Sequence, residues 1–150
     1  MPRFARLFEA AADTLNEYYQ ALADNNVDSV MALWIDEEFA SFIDSKSGHW
    51  HGIDNIRAGF AQLAADHTLP AAVEPLDVRV YDSLGTVVYA VAEAQRLRDP
   101  VAPPRMVYTT YVLVHERGEW RIAHIHASAM SEETANEFAA RVRQGQGALH

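Results

Sequence analysis

The chain has 150 residues, of which 49% are hydrophobic, and this length favours one domain with a sizeable core. Its net charge of −9 would repel phosphate backbones and anionic lipids, so we expect neither a nucleic acid nor a membrane as a partner. The absence of cysteine excludes disulfides and thiolate chemistry. No apolar run reaches the roughly 20 residues of a membrane span, and no apolar segment follows Arg3 and Arg6. We therefore expect a cytoplasmic protein.

Apolar residues recur at helical spacing in the first third of the chain. They predict a first helix over about residues 5–24 and a shorter second helix from Val27 to Trp34, with Asn26 as its N-cap. Residues 39–44 are typical of a strand. A third helix is expected after Gly52, with four apolar residues on one face: Ile53, Ile56, Phe60 and Leu63.

The second half of the chain has the period of β-strands. We expect four strands, at residues 76–81, 86–98, 105–115 and 119–129. A last helix is predicted to begin at Ser131. Helices followed by a meander of long strands predict a single α+β domain over residues 1–150. In this fold three N-terminal helices pack in a curved antiparallel sheet, and an extra helix follows at the C-terminal end.

The last predicted strand is apolar on both faces. Strict alternation places Trp120 and Ile122 on one face and Ala123, Ile125 and Ala127 on the other. A sheet with one face in water would not have this pattern. We therefore expect one face to cover the helices and the other to be covered by a second copy of the chain, which makes a homodimer.

Two stretches of the sequence resemble known proteins. Tyr18-Tyr19-Gln20-Ala21-Leu22, followed by Ala32-Leu33-Trp34, resembles the opening of ketosteroid-isomerase-like proteins. Gly118-Glu119-Trp120 with His124-Ile125-His126-Ala127-Ser128 is similar to a strand of the association domain of calcium/calmodulin-dependent protein kinases. With both stretches, the chain resembles the NTF2-like superfamily, in particular its SnoaL-like and ketosteroid-isomerase-like members. The resemblance implies a cone with a deep pocket, usually dimeric, in a fold that serves isomerases, dehydratases, cyclases, hydrolases and assembly modules.

The isomerase resemblance implies a role for Tyr18 as a hydrogen-bond donor to a developing enolate oxygen; the alternative is a tyrosine that only packs in the core. The position of the isomerase's base falls on Phe42, two residues before Asp44. Asp44 could serve as the base after a register slip, or it could simply cap the turn that follows. The isomerase's second oxyanion donor has no acidic counterpart near Thr109.

Glu93 is a candidate that comes from the strand pattern alone. It alternates in phase with Val91 on an apolar strand, so both should face the pocket. Burial there would raise the pKa of the Glu93 carboxyl and suit it to proton transfer near neutrality. The alternative is a salt bridge to Arg57, Arg96 or Arg105.

The pocket of the kinase association domain is lined by arginines. At matching positions this chain has Tyr111, Ala127 and Val91, and Ile56 replaces a pocket histidine. The resemblance therefore implies an apolar pocket with one phenol and a neutral, partly apolar ligand. We expect Tyr18 and Tyr111 to polarise oxygen, and the expected ligand-binding residues are Ile56, Phe60, Val91, Ile125 and Ala127.

Four of the seven histidines form two His-X-His pairs. His124 and His126 could bind a metal or share a proton, but strand alternation turns them away from the pocket, so we expect them in a dimer interface with Trp120 and Ile122. No third ligand is placed by the sequence, and we expect no metal site. The second pair, in His49-Trp50-His51, is expected in a surface loop, with a flap over the pocket as the alternative.

No phosphate-binding loop or serine-hydrolase motif is present, so we expect no cofactor. Two hypotheses remain open. One is a cofactor-independent isomerase, dehydratase or cyclase that acts on a small, largely apolar carbonyl or hydroxyl compound. The other is a non-catalytic module for ligand binding or oligomerisation.

Overall fold

The structure is a computed structural model that describes residues 3–46 and 48–148. Its helices are α1 (Arg3–Ala23), α2 (Val27–Met31), α3 (Ile53–Ala65) and α4 (Glu132–Ala148). Asn26 caps α2 as predicted, because its side-chain oxygen accepts a hydrogen bond from the Ser29 N–H at 3.1 Å. The α2 helix ends at Met31, three residues earlier than predicted.

Six strands form one sheet in the order β2-β1-β6-β5-β4-β3. Their bounds are β1 (Ser41–Ile43), β2 (His49–His51), β3 (Ala72–Ser83), β4 (Thr86–Arg96), β5 (Arg105–Glu116) and β6 (Glu119–Ala129). The four long strands form the predicted antiparallel meander. The sheet is not wholly antiparallel, however, because β1 pairs with β6 in parallel. This correction concerns a contact between distant parts of the chain, on which strand periodicity carries no information.

The edge strand β2 replaces the loop that we expected at residues 49–51. It pairs antiparallel with β1, so that Trp50 lies opposite Phe42. The two rings stack with centroids 5.3 Å apart, and the ring of Phe42 in turn stacks on Phe60 of α3 at 4.6 Å. These three residues hold β1, β2 and α3 together. With three residues β2 is too short to give a periodic signal.

A β-bulge in β6 changes which of its residues face the core. Val112 pairs with His124, whereas the next residue, Leu113, pairs with Ile122, and Ala123 is therefore the extra residue. Strict alternation fails at this point. Trp120 and Ile122 are consequently buried in the core of the single chain, with 7% and 0% exposure, and our expectation that they form a dimer interface is wrong.

The core lies between the helices and the concave face of the sheet. It includes residues from α1, α3 and the four long strands, for example Leu15, Ile56, Val91, Leu113 and Ile125. The α4 helix lies on the opposite face, where the ring of Phe138 meets Tyr108 edge-on at 6.2 Å. The α+β class, the three N-terminal helices, the curved sheet and the additional C-terminal helix are thus confirmed. No helix among the described residues is long and apolar enough to cross a membrane.

Candidate active site

A cavity of about 60 Å³ opens between α1, α3 and the concave face of the sheet. Its wall includes the aromatic and aliphatic side chains that the sequence predicted there: Tyr18, Phe60, Tyr111, Ile125 and Ala127. Polar residues line it as well, among them Asp44, Lys46, Gln95, Arg105 and Thr109. The pocket is therefore mainly but not wholly apolar, because seven of its seventeen lining residues are polar or charged.

Two of the expected ligand-binding residues do not reach the cavity. Ile56 and Val91 face the inside of the fold, but they are buried in the core with 0% and 3% exposure and are not among the residues that line the cavity. The period of a helix or strand gives the direction of a side chain, not the place where packing leaves space. Phe42, the position that matches the isomerase's base, does lie in the wall.

Glu93 on β4 is completely buried, with 0% exposure. Its carboxylate accepts hydrogen bonds from four side chains. The Tyr19 hydroxyl lies 2.9 Å from Oε2 and the Thr109 hydroxyl 2.8 Å from Oε1. The amide of Gln95 donates to Oε1 at 3.3 Å, and the Tyr111 hydroxyl donates to Oε2. Helix α1 and strands β4 and β5 thus converge on one acid.

No basic group lies within ion-pair distance of Glu93 among the side chains that the structure describes, those of residues 10–46 and 48–142. The expected alternative, a salt bridge to Arg57, Arg96 or Arg105, is therefore wrong. Arg57 pairs with Asp28 at 3.3 Å instead. Burial raises the pKa of Glu93, while the four donors oppose this by stabilising the charged form.

Glu93 lies directly behind the cavity wall. It does not line the cavity itself, but three of its four hydrogen-bond partners do: Gln95, Thr109 and Tyr111. A proton can therefore pass between the cavity and the carboxylate through one hydroxyl group. The carboxylate is meanwhile kept out of water.

Neighbouring tyrosines of α1 have different contacts. Tyr18 lines the cavity, with its ring 5.9 Å from that of Tyr111. Tyr19, which we had not singled out, donates to Glu93. Consecutive side chains of a helix point about 100° apart, so two adjacent tyrosines can contact different groups. The Tyr18-Tyr19 pair was the only sign of this in the sequence. Burial, and then the charge of Glu93, raise the pKa of both tyrosines and of Tyr111, so all three remain donors.

Asp44 caps the turn after β1 and also lines the cavity. Its Oδ1 accepts hydrogen bonds from the backbone N–H groups of Lys46 at 3.0 Å and Gly48 at 2.7 Å. This is the turn-capping role that we considered as its alternative. The two amides bond to Oδ1 only, and Asp44 lines the cavity, so its isomerase-like role as base stays a prediction.

Arg105 of β5 places a guanidinium group in the cavity wall. Its Nε donates to the Gln95 side-chain oxygen at 3.0 Å, and a terminal nitrogen donates to the Thr68 carbonyl at 3.2 Å. Burial lowers the pKa of Arg105, which nearby Asp44 partly offsets. Gln95 therefore joins Arg105 to Glu93 through its two amide ends.

The four histidines of the two pairs lie together on the outer face of the sheet, away from the cavity. Cross-strand pairing places His49 and His51 of β2 on the same face as His124 and His126 of β6. The Ser41 hydroxyl bonds to His124 Nδ1 at 2.6 Å. Burial, and then the charges of His126 and His49, lower the pKa of His124. Among residues 3–46 and 48–148, no three potential ligands are placed to hold a metal ion.

The concave sheet, the helices and the cavity between them define an NTF2-like fold. Residues 11–132 match the SnoaL-like domain family, and the chain belongs to that family. No curated protein matches the sequence.

Solved structures share this fold at low sequence identity. A candidate calcium/calmodulin-dependent protein kinase type II association domain from Thiobacillus denitrificans has a TM-score of 0.70 and 20% identity, over 79% of this chain and 93% of the other. A candidate dehydratase of the NTF2-like family from Streptomyces avermitilis gives 0.65 and 16%, over 82% and 95%. A candidate ketosteroid isomerase from Parabacteroides distasonis gives 0.64 and 14%, over 79% and 86%.

Proposed function

We propose that this protein is a cofactor-independent proton-transfer enzyme of the isomerase or dehydratase type, acting on a small molecule with a carbonyl or hydroxyl group. One observation carries the proposal: Glu93 is fully buried, has only neutral donors around it and contacts the cavity through Thr109, Tyr111 and Gln95. Burying an acid costs folding free energy, and buried acids with shifted pKa values are typical of functional sites.

The proposed step uses Tyr111 as a relay. The Tyr111 oxygen accepts a proton from the carbon next to the substrate's carbonyl as its own proton moves to Glu93, and the electron pair left on carbon forms the enolate. Tyr18, in the same wall, donates a hydrogen bond to the enolate oxygen. Return of the proton to another carbon completes an isomerisation. The raised pKa of Glu93 suits both directions of transfer.

The size of the cavity limits the substrate. Drug-sized ligands occupy pockets of about 300–1,000 Å³. The cavity here is about 60 Å³, which has room for only a few heavy atoms. We therefore propose a small carbonyl or hydroxyl compound rather than a molecule of steroid size.

Deuterium exchange tests the proposal. Small ketones and 2-oxo acids are incubated with the protein in D2O, and loss of the proton next to the carbonyl is followed by NMR. Glu93→Gln should slow the exchange by about 10²–10⁴-fold. The matched control is Glu74→Gln, an exposed glutamate on the adjacent strand β3, which should leave the rate unchanged. Exchange at the wild-type rate in Glu93→Gln would exclude Glu93 as the base.

The alternative, a non-catalytic ligand-binding or oligomerisation module, is favoured by the outer face of the sheet. There Val88, Val112 and His124 form one cross-strand row, and Ala90, Thr110 and His126 form the next. We propose that a second copy covers this partly apolar face in a homodimer, with His124 and His126 in the interface. Sedimentation velocity at micromolar concentration tests this, and a monomer would contradict it.

A further inference from the structure

Arg105 is a half-buried cation whose hydrogen-bond partners are neutral. They are the side-chain oxygen of Gln95 and the backbone carbonyl of Thr68. No carboxylate of the described residues lies within 4.0 Å of its guanidinium. A guanidinium removed from water is stabilised best by an anion, and its planar fork of donors matches a carboxylate. Arg105 also forms part of the cavity wall, where a ligand could supply this anion.

The other charges around the cavity favour a single negative charge. Lys46 is a second basic residue of the wall, and Asp44 is its acidic residue. Asp44 is beyond ion-pair distance from Arg105 and already accepts two backbone hydrogen bonds. Its charge would oppose a dianion more strongly than a monoanion. A carboxylate therefore fits this wall better than a phosphate dianion.

Gln95 sets the distance between the cation and the acid. Its amide oxygen accepts from Arg105 at 3.0 Å, and its amide nitrogen donates to Glu93 at 3.3 Å. The two charged groups are thus separated by one amide group. A ligand whose carboxylate is held by Arg105 would place its oxo or hydroxyl group, and the proton-bearing carbon beside that group, near the relay of Tyr111 and Glu93.

We propose that the site takes small monocarboxylates with an oxo or hydroxyl group close to the carboxylate, and that Arg105 binds the carboxylate. This names the substrate class of the site and rests on the proposed function for the reaction itself. Arg105 is then the residue that determines specificity, while Glu93 and Tyr111 transfer the proton.

The test compares two probes that differ in one charge, pyruvate and its neutral amide, pyruvamide. Binding of each to the full chain is measured by NMR titration at pH 7. Wild type should bind pyruvate at least about tenfold more tightly than pyruvamide. Arg105→Gln should remove this preference, and Arg105→Lys should retain part of it. Arg79→Gln, which changes an exposed arginine paired with Asp77, is the matched control and should keep it.

Equal binding of the two probes to wild type, no binding of either in the millimolar range, or an unchanged preference in Arg105→Gln would each overturn the proposal. Thermal unfolding of Arg105→Gln and Arg105→Lys checks that both variants are folded. This test is independent of the proposed function. The Glu93→Gln variant should still bind pyruvate more tightly than pyruvamide, although it exchanges the protons of pyruvate much more slowly than wild type. A preference that depends on Arg105, without any deuterium exchange, would keep the carboxylate site and reject the enzyme.

Discussion

The hydroxyl of Tyr19 donates a hydrogen bond to Glu93 at 2.9 Å, across a separation of 74 residues in the sequence. This bond joins helix α1 to strand β4 beside the cavity. Tyr111 of β5 donates to the same carboxylate oxygen, Oε2, and the rings of Tyr19 and Tyr111 meet edge-on at 6.0 Å. The acid is therefore held by phenols, which stabilise its charge without neutralising it.

Tyr19→Phe should raise the pKa of Glu93 further, because it removes a donor that stabilises the carboxylate. It should also destabilise the fold by about 1–3 kcal/mol at neutral pH, since a buried charge loses a partner. Carboxyl ¹³C NMR of Glu93 and urea unfolding measure the two effects. Tyr18→Phe is the matched control, because it leaves the Tyr19 bond intact. Equal pKa changes in the two variants would contradict the assignment.

Glu93→Gln should change how stability depends on pH. Because the pKa of Glu93 is raised in the folded state above its ordinary value of 4.5, the folded protein binds this proton more tightly than the unfolded chain. The contribution of Glu93 to the free energy of unfolding is therefore greatest below pH 4.5 and is lost as the pH rises through the raised pKa. Glutamine has no such proton, so the variant should gain stability relative to wild type as the pH rises from 4.5 through the raised pKa of Glu93.

Urea unfolding of both proteins across this range measures the difference. The lowered pKa of His124 acts in the opposite direction, because its contribution is lost as the pH falls below its ordinary value of 6.5. His124 is present in both proteins, so its effect cancels in the comparison. A difference that stays constant or shrinks with rising pH would contradict the raised pKa of Glu93.

Ile122→Ala should destabilise the single chain by about 2–5 kcal/mol, because Ile122 is fully buried in the core. Glu74 of β3 is exposed, and Glu74→Ala is the control that should change stability by less than about 0.5 kcal/mol. Chemical unfolding distinguishes the two. If Ile122→Ala left the unfolding free energy unchanged, the bulge at Ala123 would be wrongly placed.

Gly59→Ala should destabilise the protein by about 1–3 kcal/mol, through overpacking against Trp50. A methyl group at Gly59 would lie 2.7 Å from the Trp50 ring, which is held in place by Phe42. In a Trp50→Ala background the same change should instead stabilise α3 by up to about 1 kcal/mol, because alanine favours a helix more than glycine. Urea unfolding of wild type, the two single variants and the double variant gives the coupling energy between residues 59 and 50. If the two substitutions changed the free energy of unfolding additively, the contact between Gly59 and the Trp50 ring would be contradicted.

Most of the fold could be predicted from the sequence because its elements are long and periodic. The helices α1 and α3 and the four long strands each span at least eleven residues, and much of each shows the period of its own secondary structure. Strand β2 and the parallel pairing of β1 with β6 could not be predicted, since both depend on contacts between segments far apart in the chain. The bulge at Ala123 is one extra residue, and it reversed the faces of Trp120 and Ile122.

The candidate site divides in the same way. Glu93 was found from the sequence because an acid in phase with apolar residues on a strand must be buried, and burial alone marks it as unusual. No local sequence pattern predicted which side chains would surround Glu93. The closure of β4 on β5 and the packing of α1 on the sheet brought Tyr19, Thr109 and Tyr111 to the acid and left Arg105 in the cavity wall. Hydrogen bonds form between atoms within about 3 Å, and only the tertiary structure sets such distances.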